Sequence, residues 1–409
     1  MRDRTFNLDT LGRMIQAHDF RKYENLYDPK VRQFHVGKAV QIANDGFATA
    51  SLRMHVLKGK SIYQPLDLST SLVLRKISAN ITRATAVRQQ SRVDILKILR
   101  ALCAEGVPFC VHKIDIKTFY ETVPREILID NIFRDIPSSP GTLRVLKKFF
   151  EYLDSESIDG LPRGIGLSAI LSEYLLRDFD QMVKSLPDVY YYARYVDDMV
   201  IISRNLKKAK MIQKTIVSGL PEGLEANYKK TRFIKFNADK KAPEATKRFD
   251  FLGHEFSVPA ISGSISKREV KVDISERKIK KIKTRIVKSI QVYNEDHNFK
   301  DLEKRMWIIS ANHFFFDHRS GRYRGAGIYH NYQFIDETSK SLQRLDDFLR
   351  HAITSGKGKV FKSFRSATNN AQRSKLMKCS FRKNFEKRKH YSFKNKDLER
   401  LMRCWKYAI

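Results

Sequence analysis

Residues 189–204 read VYYYARYVDDMVIISR and place two adjacent aspartates, Asp197 and Asp198, between two apolar runs. Aromatic residues precede the pair and β-branched residues follow it, which is typical of two strands joined by a tight turn. A strand interior disfavours paired carboxylates because burying charge is costly. The stretch therefore predicts two strands that meet at an acidic turn.

A third aspartate, Asp115, lies near the end of another apolar stretch, PFCVHKIDI, over 108–116. If the two segments are neighbouring strands, three carboxylates converge at one edge of a sheet. Carboxylates at such a short distance repel each other, and a multivalent cation is the usual means of relieving the repulsion. An aspartate pair taken alone is most often an exposed turn without chemistry. The specificity of the pattern therefore depends on the motifs around it.

The chain of 409 residues carries 78 Lys and Arg against 45 Asp and Glu, a formal net charge of +33. Such a surplus repels itself unless a polyanion is near, and nucleic acid is the usual one; an anionic membrane surface is the alternative. No apolar run approaches the roughly 18 residues of a membrane span, and no signal peptide is indicated. The four cysteines lack CxxC spacing, so neither zinc nor disulfides are expected. We expect a soluble, cytoplasmic protein that binds nucleic acid and no membrane.

The length predicts two or three packed subdomains. Residues 8–60 are expected to be mixed helix, and the apolar residues over 93–102 have the period of a buried helix face. Further elements are predicted along the middle of the chain: helices from about 124 and over 141–154, 169–183 and 205–218, and strands over 108–116, 224–236 and 248–257. This order predicts an α/β domain with carboxylates on turns between strands.

Beyond residue 270 the composition becomes helical and basic, and the last 59 residues hold 17 Lys and Arg against 3 acids. Aromatic residues are interleaved with the basic ones: Phe361, Phe364, Phe381, Phe385, Tyr391, Phe393 and Trp405. They predict a folded, all-helical region, and the mixture suits a groove for single-stranded nucleic acid. A small core with a solvated basic face is the alternative, and both can hold. The triplet Phe314-Phe315-Phe316 is expected in a core, with an oligomer interface as the alternative.

Five motifs follow one another over about 105–257. They are Asp115-Ile116-Lys117-Thr118-Phe119-Tyr120, Leu161-Pro162-Arg163-Gly164-Ile165-Gly166-Leu167-Ser168, Tyr195-Val196-Asp197-Asp198, Asn227-Tyr228-Lys229-Lys230-Thr231 and Phe251-Leu252-Gly253-His254. In order, they resemble the first palm motif, the LPQG segment, the YxDD signature, the next palm motif and the FLG primer-grip turn of reverse transcriptases.

The resemblance implies a polymerase right hand of the α/β (α+β) class. We expect an N-terminal extension and fingers over 1–104, a palm over 105–260, and a basic helical thumb or C-terminal domain over 261–409. It also implies an RNA-directed DNA polymerase, a nucleotidyltransferase that adds dNTPs with two Mg2+ ions, for which Mn2+ can substitute. The implied partners are RNA or DNA and dNTPs, and a noncoding RNA and a homo-oligomer are further expectations.

By the same resemblance, Asp115 and Asp197 are the principal metal ligands and Asp198 completes the catalytic acidic cluster. The carbonyl of Ile116 is a candidate for an additional metal ligand. Two adjacent ions of this kind stabilise both the attacking and the leaving oxygen of a phosphoryl transfer.

The nucleotide site is also implied residue by residue. Tyr120 matches the steric gate that crowds a ribose 2′-hydroxyl, with a core aromatic as the alternative. Lys230 matches the lysine near the outgoing pyrophosphate, where a cation offsets developing charge, with a solvated lysine as the alternative. Arg163 and Gly164 stand in the segment beneath the incoming nucleotide.

Two further groups of residues are assigned by the resemblance. Arg75, Arg88 and Arg92 are candidates for gripping triphosphate or template, because a guanidinium binds phosphate oxygens in pairs. The turn Phe251-Leu252-Gly253 corresponds to the primer grip.

The flanks narrow the resemblance to the bacterial phage-defence, or abortive-infection, group of reverse transcriptases. The segments that carry this resemblance are Arg75-Lys76, RQQSR at 88–92, GIYHNY at 327–332 and SFRKNFEKR at 380–388. Retron enzymes and group II intron maturases are less similar, because no endonuclease or zinc module is apparent. This narrower resemblance implies a role in antiviral defence.

The chain departs from the family pattern at two positions. Arg163 stands where most reverse transcriptases have glutamine, and Ala169 stands where proline is frequent. These departures leave open template-independent DNA synthesis by the same site, with or without a protein primer. A catalytically silent nucleic-acid-binding protein is a second, separate alternative.

Overall fold

The structure is a computed structural model that describes residues 3–57, 59–136, 139–237, 245–261, 267–317, 322–336 and 339–405. The chain divides into two compact units. The first unit comprises Met1–Ile95 and Val107–Ala238, and the second comprises Leu96–Gly106 and Asp239–Ile409. Each unit contains its own cluster of buried apolar side chains, so each is described by itself.

The N-terminal part of the first unit combines helices with one β-hairpin. Its elements are α1 (Leu8–Gly12), α2 (Asp19–Lys22), α3 (Pro29–Asp45), β1 (Leu52–Leu57), β2 (Lys60–Pro65) and α4 (Leu68–Thr85). The expectation of mixed helix over 8–60 is wrong for the strand β1, which pairs antiparallel with β2. Both strands have a largely exposed side, so they show little of the apolar alternation that identifies a strand in sequence.

The start of each long N-terminal helix follows from local chemistry. The Asp28 side chain accepts a hydrogen bond from Lys30 N, and Pro29 takes the first helical position of α3. The Asp67 side chain accepts one from Thr70 N at the start of α4. Helix α4 then crosses the core of the unit, with Leu72 and Ile77 fully buried.

The rest of the first unit is a four-stranded antiparallel sheet backed by helices. In chain order the elements are α5 (Arg92–Cys103), which runs from one unit into the other, β3 (Phe109–Asp115), α6 (Arg125–Asp135), α7 (Pro140–Ser155), α8 (Gly166–Leu175), α9 (Arg177–Ser185), β4 (Val189–Tyr195), β5 (Asp198–Ser203), α10 (Ala209–Ser218) and β6 (Arg232–Phe236). The strand order is β4-β5-β3-β6. One face of the sheet packs on the helices through Ile114, Met199 and Ile201, so the alternate residues point to the opposite face.

Two predicted elements differ from those observed. The strand expected over 224–236 is confirmed only for β6, because Asn227 accepts hydrogen bonds from Lys230 N and Thr231 N and so begins a turn. The helix expected over 169–183 is two helices, α8 and α9, which are separated at Leu176.

The second unit contains two three-stranded sheets among its helices. The elements are β7 (Lys247–Phe251), β8 (His254–Val258), β9 (Lys271–Ile274), α11 (Glu276–Asp296), α12 (Phe299–Ser310), β10 (Asn312–Asp317), β11 (Arg322–Gly327), α13 (Ile328–Tyr332), α14 (Lys340–Thr354), α15 (Gly358–Ala367), α16 (Asn370–Met377), α17 (Phe381–Glu386), β12 (His390–Tyr391) and α18 (Asn395–Met402). The sheet orders are β7-β8-β9 and β11-β10-β12.

The aromatic residues Phe364, Phe381 and Trp405 are buried in this unit, which confirms that the basic C-terminal region is folded. The expectation that the region is all-helical is wrong, because β10, β11 and β12 form a sheet. Three consecutive phenylalanines favour a strand, in which neighbouring side chains point to opposite faces. Accordingly Phe315 packs against the core, whereas Phe314 is 49% exposed and does not lie in a core. No helix in the described ranges is both long and apolar enough to cross a membrane.

Candidate active site

The register of the first sheet brings the predicted carboxylates together. Asp115 on β3 is the direct partner of Asp198 on β5, and Tyr195 on β4 is the partner of Asp198 on its other side. Directly opposed residues of an antiparallel pair point to the same face, with Cα atoms roughly 4.5–5.5 Å apart. Asp197 lies in the two-residue turn between β4 and β5, and its carbonyl accepts a hydrogen bond of 3.3 Å from Ile116 N. The prediction that these strands are neighbours is therefore confirmed.

The turn that carries Asp197 has a strained backbone. Val196 is its first residue and has a φ of +60°, a value that β-branched residues rarely adopt. Such a conformation costs on the order of 1–3 kcal/mol and persists only where the surroundings enforce it. The Arg194 guanidinium supplies one such constraint, since its Nη1 donates to the Val196 carbonyl at 3.2 Å.

Arg194 is itself held by two carboxylates. Its side chain is 3% exposed, and it pairs with Asp180 at 2.7 Å and with Glu173 at 2.8 Å. Tyr192 also donates a hydrogen bond of 2.6 Å to Asp180. This buried network constrains the backbone of the acidic turn. The sequence analysis did not identify it, because an arginine inside a strand usually indicates an exposed position.

Negative charge is concentrated at the turn. Burial, together with the charges of Asp197 and Asp115, raises the pKa of Asp198 to about 6. Burial also raises the pKa of Asp197, with Asp115 acting in the same direction and Arg163 and Lys60 opposing it. The three carboxylates thus interact electrostatically, and a cation placed among them would be strongly stabilised.

A lysine ammonium already contacts one of these carboxylates. Lys230 Nζ lies 3.0 Å from each Asp115 oxygen, and Asn227 Nδ2 donates to the same carboxylate at 3.2 Å. Asn227 N also donates to the Asp115 carbonyl at 2.7 Å. The motif that contains Asn227 and Lys230 therefore contacts Asp115 directly, while the Lys230 side chain remains 58% exposed and able to move.

The chemistry of the carboxylates fits a magnesium ion, which prefers oxygen ligands. Among the residues that the structure describes, however, no three His, Cys, Asp or Glu side chains are arranged so as to hold a metal ion. Lys230 occupies both Asp115 oxygens, so a divalent ion at Asp115 has to displace its ammonium. Ile116 forms an isolated bridge with Ala226, and its carbonyl stays a predicted ligand.

The Arg163 side chain packs against Tyr120, the predicted steric gate. Its guanidinium lies over the Tyr120 ring at 4.9 Å from the centroid. Its Nε and Nη2 donate to the two carboxylate oxygens of Glu121 at 2.6 and 2.8 Å. Two of its three nitrogens are therefore held by Glu121, and the role of Arg163 in the nucleotide site stays a prediction. Glu121 was missed, although it directly follows the predicted gate in the sequence.

The hairpin of β1 and β2 packs on the turn that contains Arg163. Tyr63 N donates to the Arg163 carbonyl at 2.7 Å. Gly164 has a φ of +94°, and a Cβ there would lie 2.7 Å from the Tyr63 carbonyl oxygen and from Ile62 Cγ2. Only glycine fits this close approach. Lys60, at the start of β2, also acts on this site, because its charge lowers the pKa of both Glu121 and Asp197.

The three arginines predicted to grip phosphate have different surroundings. Arg75 makes two hydrogen bonds to the fully buried Asp19, at 2.6 and 2.9 Å, and one to the Met14 carbonyl. These bonds occupy part of the guanidinium, and the role of Arg75 in gripping phosphate stays a prediction. Arg88 lies in the exposed linker between α4 and α5, and Arg92 begins α5.

The predicted primer-grip turn lies in the second unit. Leu252 and Gly253 connect β7 to β8 with φ values of +45° and +80°, and Phe251 pairs with His254. Two positive φ values match the tight turn that joins twisted strands. The role of Phe251, Leu252 and Gly253 as a primer grip stays a prediction.

A helix-backed antiparallel sheet with an acidic hairpin beside a third aspartate defines the palm of a nucleic-acid polymerase. The sequence profile of the family described as "Reverse transcriptase (RNA-dependent DNA polymerase)" matches residues 12–256, and the chain belongs to that family. Among curated proteins, none matches the chain.

The similarity of the chain to solved structures is low in sequence and in fold. The "Structure of apo telomerase from Candida Tropicalis truncated from C-terminal domain" has 14% sequence identity and a TM-score of 0.39. The match covers 55% of this chain and 55% of that one, so the chain spans about half of that structure.

Proposed function

We propose that this chain is an RNA-directed DNA polymerase that adds dNTPs to a growing strand. It uses two divalent ions for this reaction, and Mg2+ is the preferred ion. The observation that carries the proposal is the register that opposes Asp115 to Asp198 while Asp197 occupies the adjoining turn. A palm with this acidic face has the ligands that phosphoryl transfer requires.

Asp115, Asp197 and Asp198, with the Ile116 carbonyl, would hold the two ions. When bound, such ions offset the charge on the attacking and leaving oxygens. With the ions bound, the exposed Lys230 side chain, which pairs with Asp115 in this structure, would be free to face the phosphates of the nucleotide. There its positive charge would offset the charge that develops on the outgoing pyrophosphate.

The sugar of the incoming nucleotide meets Tyr120 in this proposal. The ring is half-buried, and burial raises the pKa of its hydroxyl, so it stays neutral as a wall of the site. Arg163 packs on the ring and Glu121 orients Arg163, which limits the rotation of the ring. A fixed ring crowds a ribose 2′-hydroxyl more than a mobile one, so dNTPs are preferred over rNTPs.

The biological role that the flanking segments support is antiviral defence in bacteria by abortive infection. The exposed Arg88 and the basic residues of the second unit would bind RNA or DNA, and a noncoding RNA and a homo-oligomer belong to the same proposal.

A second candidate is template-independent, protein-primed DNA synthesis by the same carboxylates. The observation that favours it is the ion pair between Glu121 and Arg163. This ion pair fixes an arginine beside Tyr120, where most relatives have a glutamine. A catalytically silent nucleic-acid-binding protein is the remaining alternative, and the net charge of +33 suits it equally.

The test is incorporation of each dNTP separately by the purified chain, with and without an RNA template and a primer. Template-dependent incorporation supports the first candidate, and incorporation of a single dNTP without template supports the second. DNA that is released from the protein only after proteolysis identifies a protein primer. Absence of incorporation under every condition, in Mg2+ and in Mn2+, contradicts both polymerase candidates.

A further inference from the structure

The sheet β11-β10-β12 of the second unit carries two adjacent groups of rings on one face. Residues of β10 that share a face are Phe314 and Phe316, and their cross-strand partners on β11 are Gly325 and Tyr323. Two histidines complete the set, His390 on β12 and His330 on α13. We call Phe314, Phe316, Tyr323, His330 and His390 the ring face.

Neighbouring rings of this face are in contact. Tyr323 contacts Phe316 edge to face at 5.2 Å, and Phe314 stacks on His390 at 4.8 Å with an interplanar angle of 6°. His330 contacts the edges of both Phe314 and His390. Gly325 makes room for this arrangement, because a Cβ at that position would collide with the His330 ring. The face is therefore a preformed aromatic surface rather than scattered exposed residues.

The ring face is open, whereas the opposite face of the sheet is closed. On the closed side, His313 is 6% exposed and Phe315 packs against the apolar core of the unit. On the open side, Tyr323 is 74% exposed and Phe314 is 49% exposed. A monomeric protein gains nothing from leaving such large rings in water, so an exposed aromatic patch marks an interaction site.

The two histidines of the ring face pair through their Nε2 atoms. Their Nε2 atoms lie 2.9 Å apart, so one donates a proton to the other. Burial and the neighbouring His390 lower the pKa of His330. The polar nitrogens thus satisfy each other, and the histidine rings add area to the aromatic surface.

Basic side chains border the ring face on the side of His390. The exposed run Lys387-Arg388-Lys389 leads directly into His390. The Arg388 guanidinium lies 4.6 Å from the centroid of the Tyr329 ring, which in turn contacts His330. Arg322 and Arg324 flank Tyr323 on β11 and are exposed, but neighbouring side chains of a strand point to opposite faces, so both lie on the other face of the sheet. Positive charge therefore reaches the rings from the segment that leads into β12.

We propose that the ring face binds single-stranded nucleic acid, whose unpaired bases stack on Tyr323 and Phe314 while the bordering Lys and Arg side chains bind the phosphates. Every base has a π-face, so stacking on aromatic side chains does not require a particular sequence, and basic side chains follow the backbone. A duplex hides its base faces and reaches only the basic border. A second copy would bring its own net charge of +33, so the basic border of this face suits a polyanion better than another copy of the chain.

The experiment measures binding of fluorescently labelled dT20 and U20 to the full chain, without divalent ions or nucleotides, so that polymerisation plays no part. Tyr323→Ala combined with Phe314→Ala should weaken binding roughly 10-fold or more, because each stacked base contributes substantially. Both rings are exposed, so the unfolding temperature should stay unchanged. Tyr323→Trp should retain binding, since tryptophan also stacks.

The matched control is Tyr27→Ala, because Tyr27 is 75% exposed but lies in the first unit. It should bind dT20 and U20 like the unmodified chain. The proposal is overturned if the double variant binds as tightly as the unmodified chain, or if a 20-base-pair duplex depends on Tyr323 to the same extent. It is also overturned if the unmodified chain self-associates and the double variant does not, because the ring face would then be a contact between copies.

Discussion

The two units each contain an antiparallel pair of strands with a distinctive set of side chains on one face, and the two sets differ in chemistry. In the first unit, Asp115 and Asp198 oppose each other at the end of the β3–β5 pair, where Asp115 is only 7% exposed. In the second unit, Phe314 and Tyr323 are exposed on the β10–β11 pair. The comparison teaches that strand pairing brings groups together that lie far apart in sequence, while the paired side chains decide the ligand. Carboxylates select cations and phosphoryl groups, whereas rings select bases.

The support beneath the two faces also differs. The acidic face depends on a buried arginine, Arg194, which constrains the strained Val196 turn. The ring face depends on contacts among the rings themselves and on the missing side chain of Gly325. Substitutions should therefore disturb the first face from a distance and the second face mainly at the substituted ring.

The largest effect is expected from removing a carboxylate of the acidic face. Asp197→Ala should reduce dNTP incorporation about 1,000-fold or more, because metal stabilisation of the transition state contributes several kcal/mol. Steady-state incorporation of labelled dNTPs measures the change. Asp178→Ala, which removes an exposed carboxylate elsewhere in the first unit, is the control and should be fully active. An Asp197→Ala variant with normal activity would contradict the proposed function.

The next largest effect is expected from the buried support. Arg194→Met leaves Glu173 and Asp180 without their partner, and breaking a buried ion pair costs about 3–5 kcal/mol. Urea unfolding measures the loss. Arg134→Met is the matched control, because the Arg134 side chain is 63% exposed and a surface pair contributes about 0–1 kcal/mol. Equal losses in the two variants would show that Arg194 does not support the turn.

Much of the acidic face could be predicted from the sequence, because its pattern is local. Apolar runs that end in carboxylates indicated both strands and the hairpin, and the register confirmed their pairing. The supports could not be predicted. Arg194 meets Asp180 only after a helix and a strand pack together, and Glu121 meets Arg163 across 42 residues of chain.

The ring face shows a different limit of sequence analysis. Aromatic residues among lysines suggested a nucleic-acid groove, but the expected structure was helical and Phe314 was expected in a core. Periodicity over three identical residues cannot distinguish a helix from a strand. Pairing with β11 and β12 decides the outcome, and β12 comes from a segment more than 70 residues further along the chain. The same absence of a local signal explains why the pairing of Arg75 with Asp19 could not be predicted, since the two residues are 56 positions apart.

A pH-dependent effect is expected at His112, which lies behind the acidic face. Burial lowers the pKa of His112 to about 4, against roughly 6.5 in an unfolded chain. Between pH 6.5 and 4 the unfolded chain binds a proton that the folded chain excludes, so the free energy of unfolding falls as the pH falls through this window. His112→Gln, which can keep the hydrogen bond to Ser203, should reduce this loss by about 1–3 kcal/mol.

Urea unfolding at pH 7.5 and at pH 5 measures this difference. The exposed His55 provides the control, and His55→Gln should leave the pH dependence unchanged. The dependence should not vanish in the His112 variant, because burial also lowers the pKa of His313 to about 4. An identical pH dependence in all three proteins would contradict the neutral buried state of His112.

The smallest effect is expected at Arg163, whose guanidinium is held by Glu121. Arg163→Gln removes the cation from the Tyr120 ring, an interaction of about 0.5–2 kcal/mol, so the preference for dNTPs over rNTPs should fall roughly 2- to 30-fold. The ratio of kcat/KM for dATP and ATP measures it. Arg177→Gln is the matched control, because Arg177 lies over the Tyr174 ring at 5.2 Å and away from the gate. A preference that changes equally in both variants would exclude a specific role for Arg163.

The most direct test of the central claim is a crystal structure of the chain soaked with Mn2+ and measured at the manganese absorption edge. The proposed function predicts anomalous peaks within roughly 2.5 Å of the Asp115 and Asp197 carboxylate oxygens, with Lys230 displaced from Asp115. Absence of any peak at these carboxylates, with Lys230 still about 3.0 Å from Asp115, would contradict it.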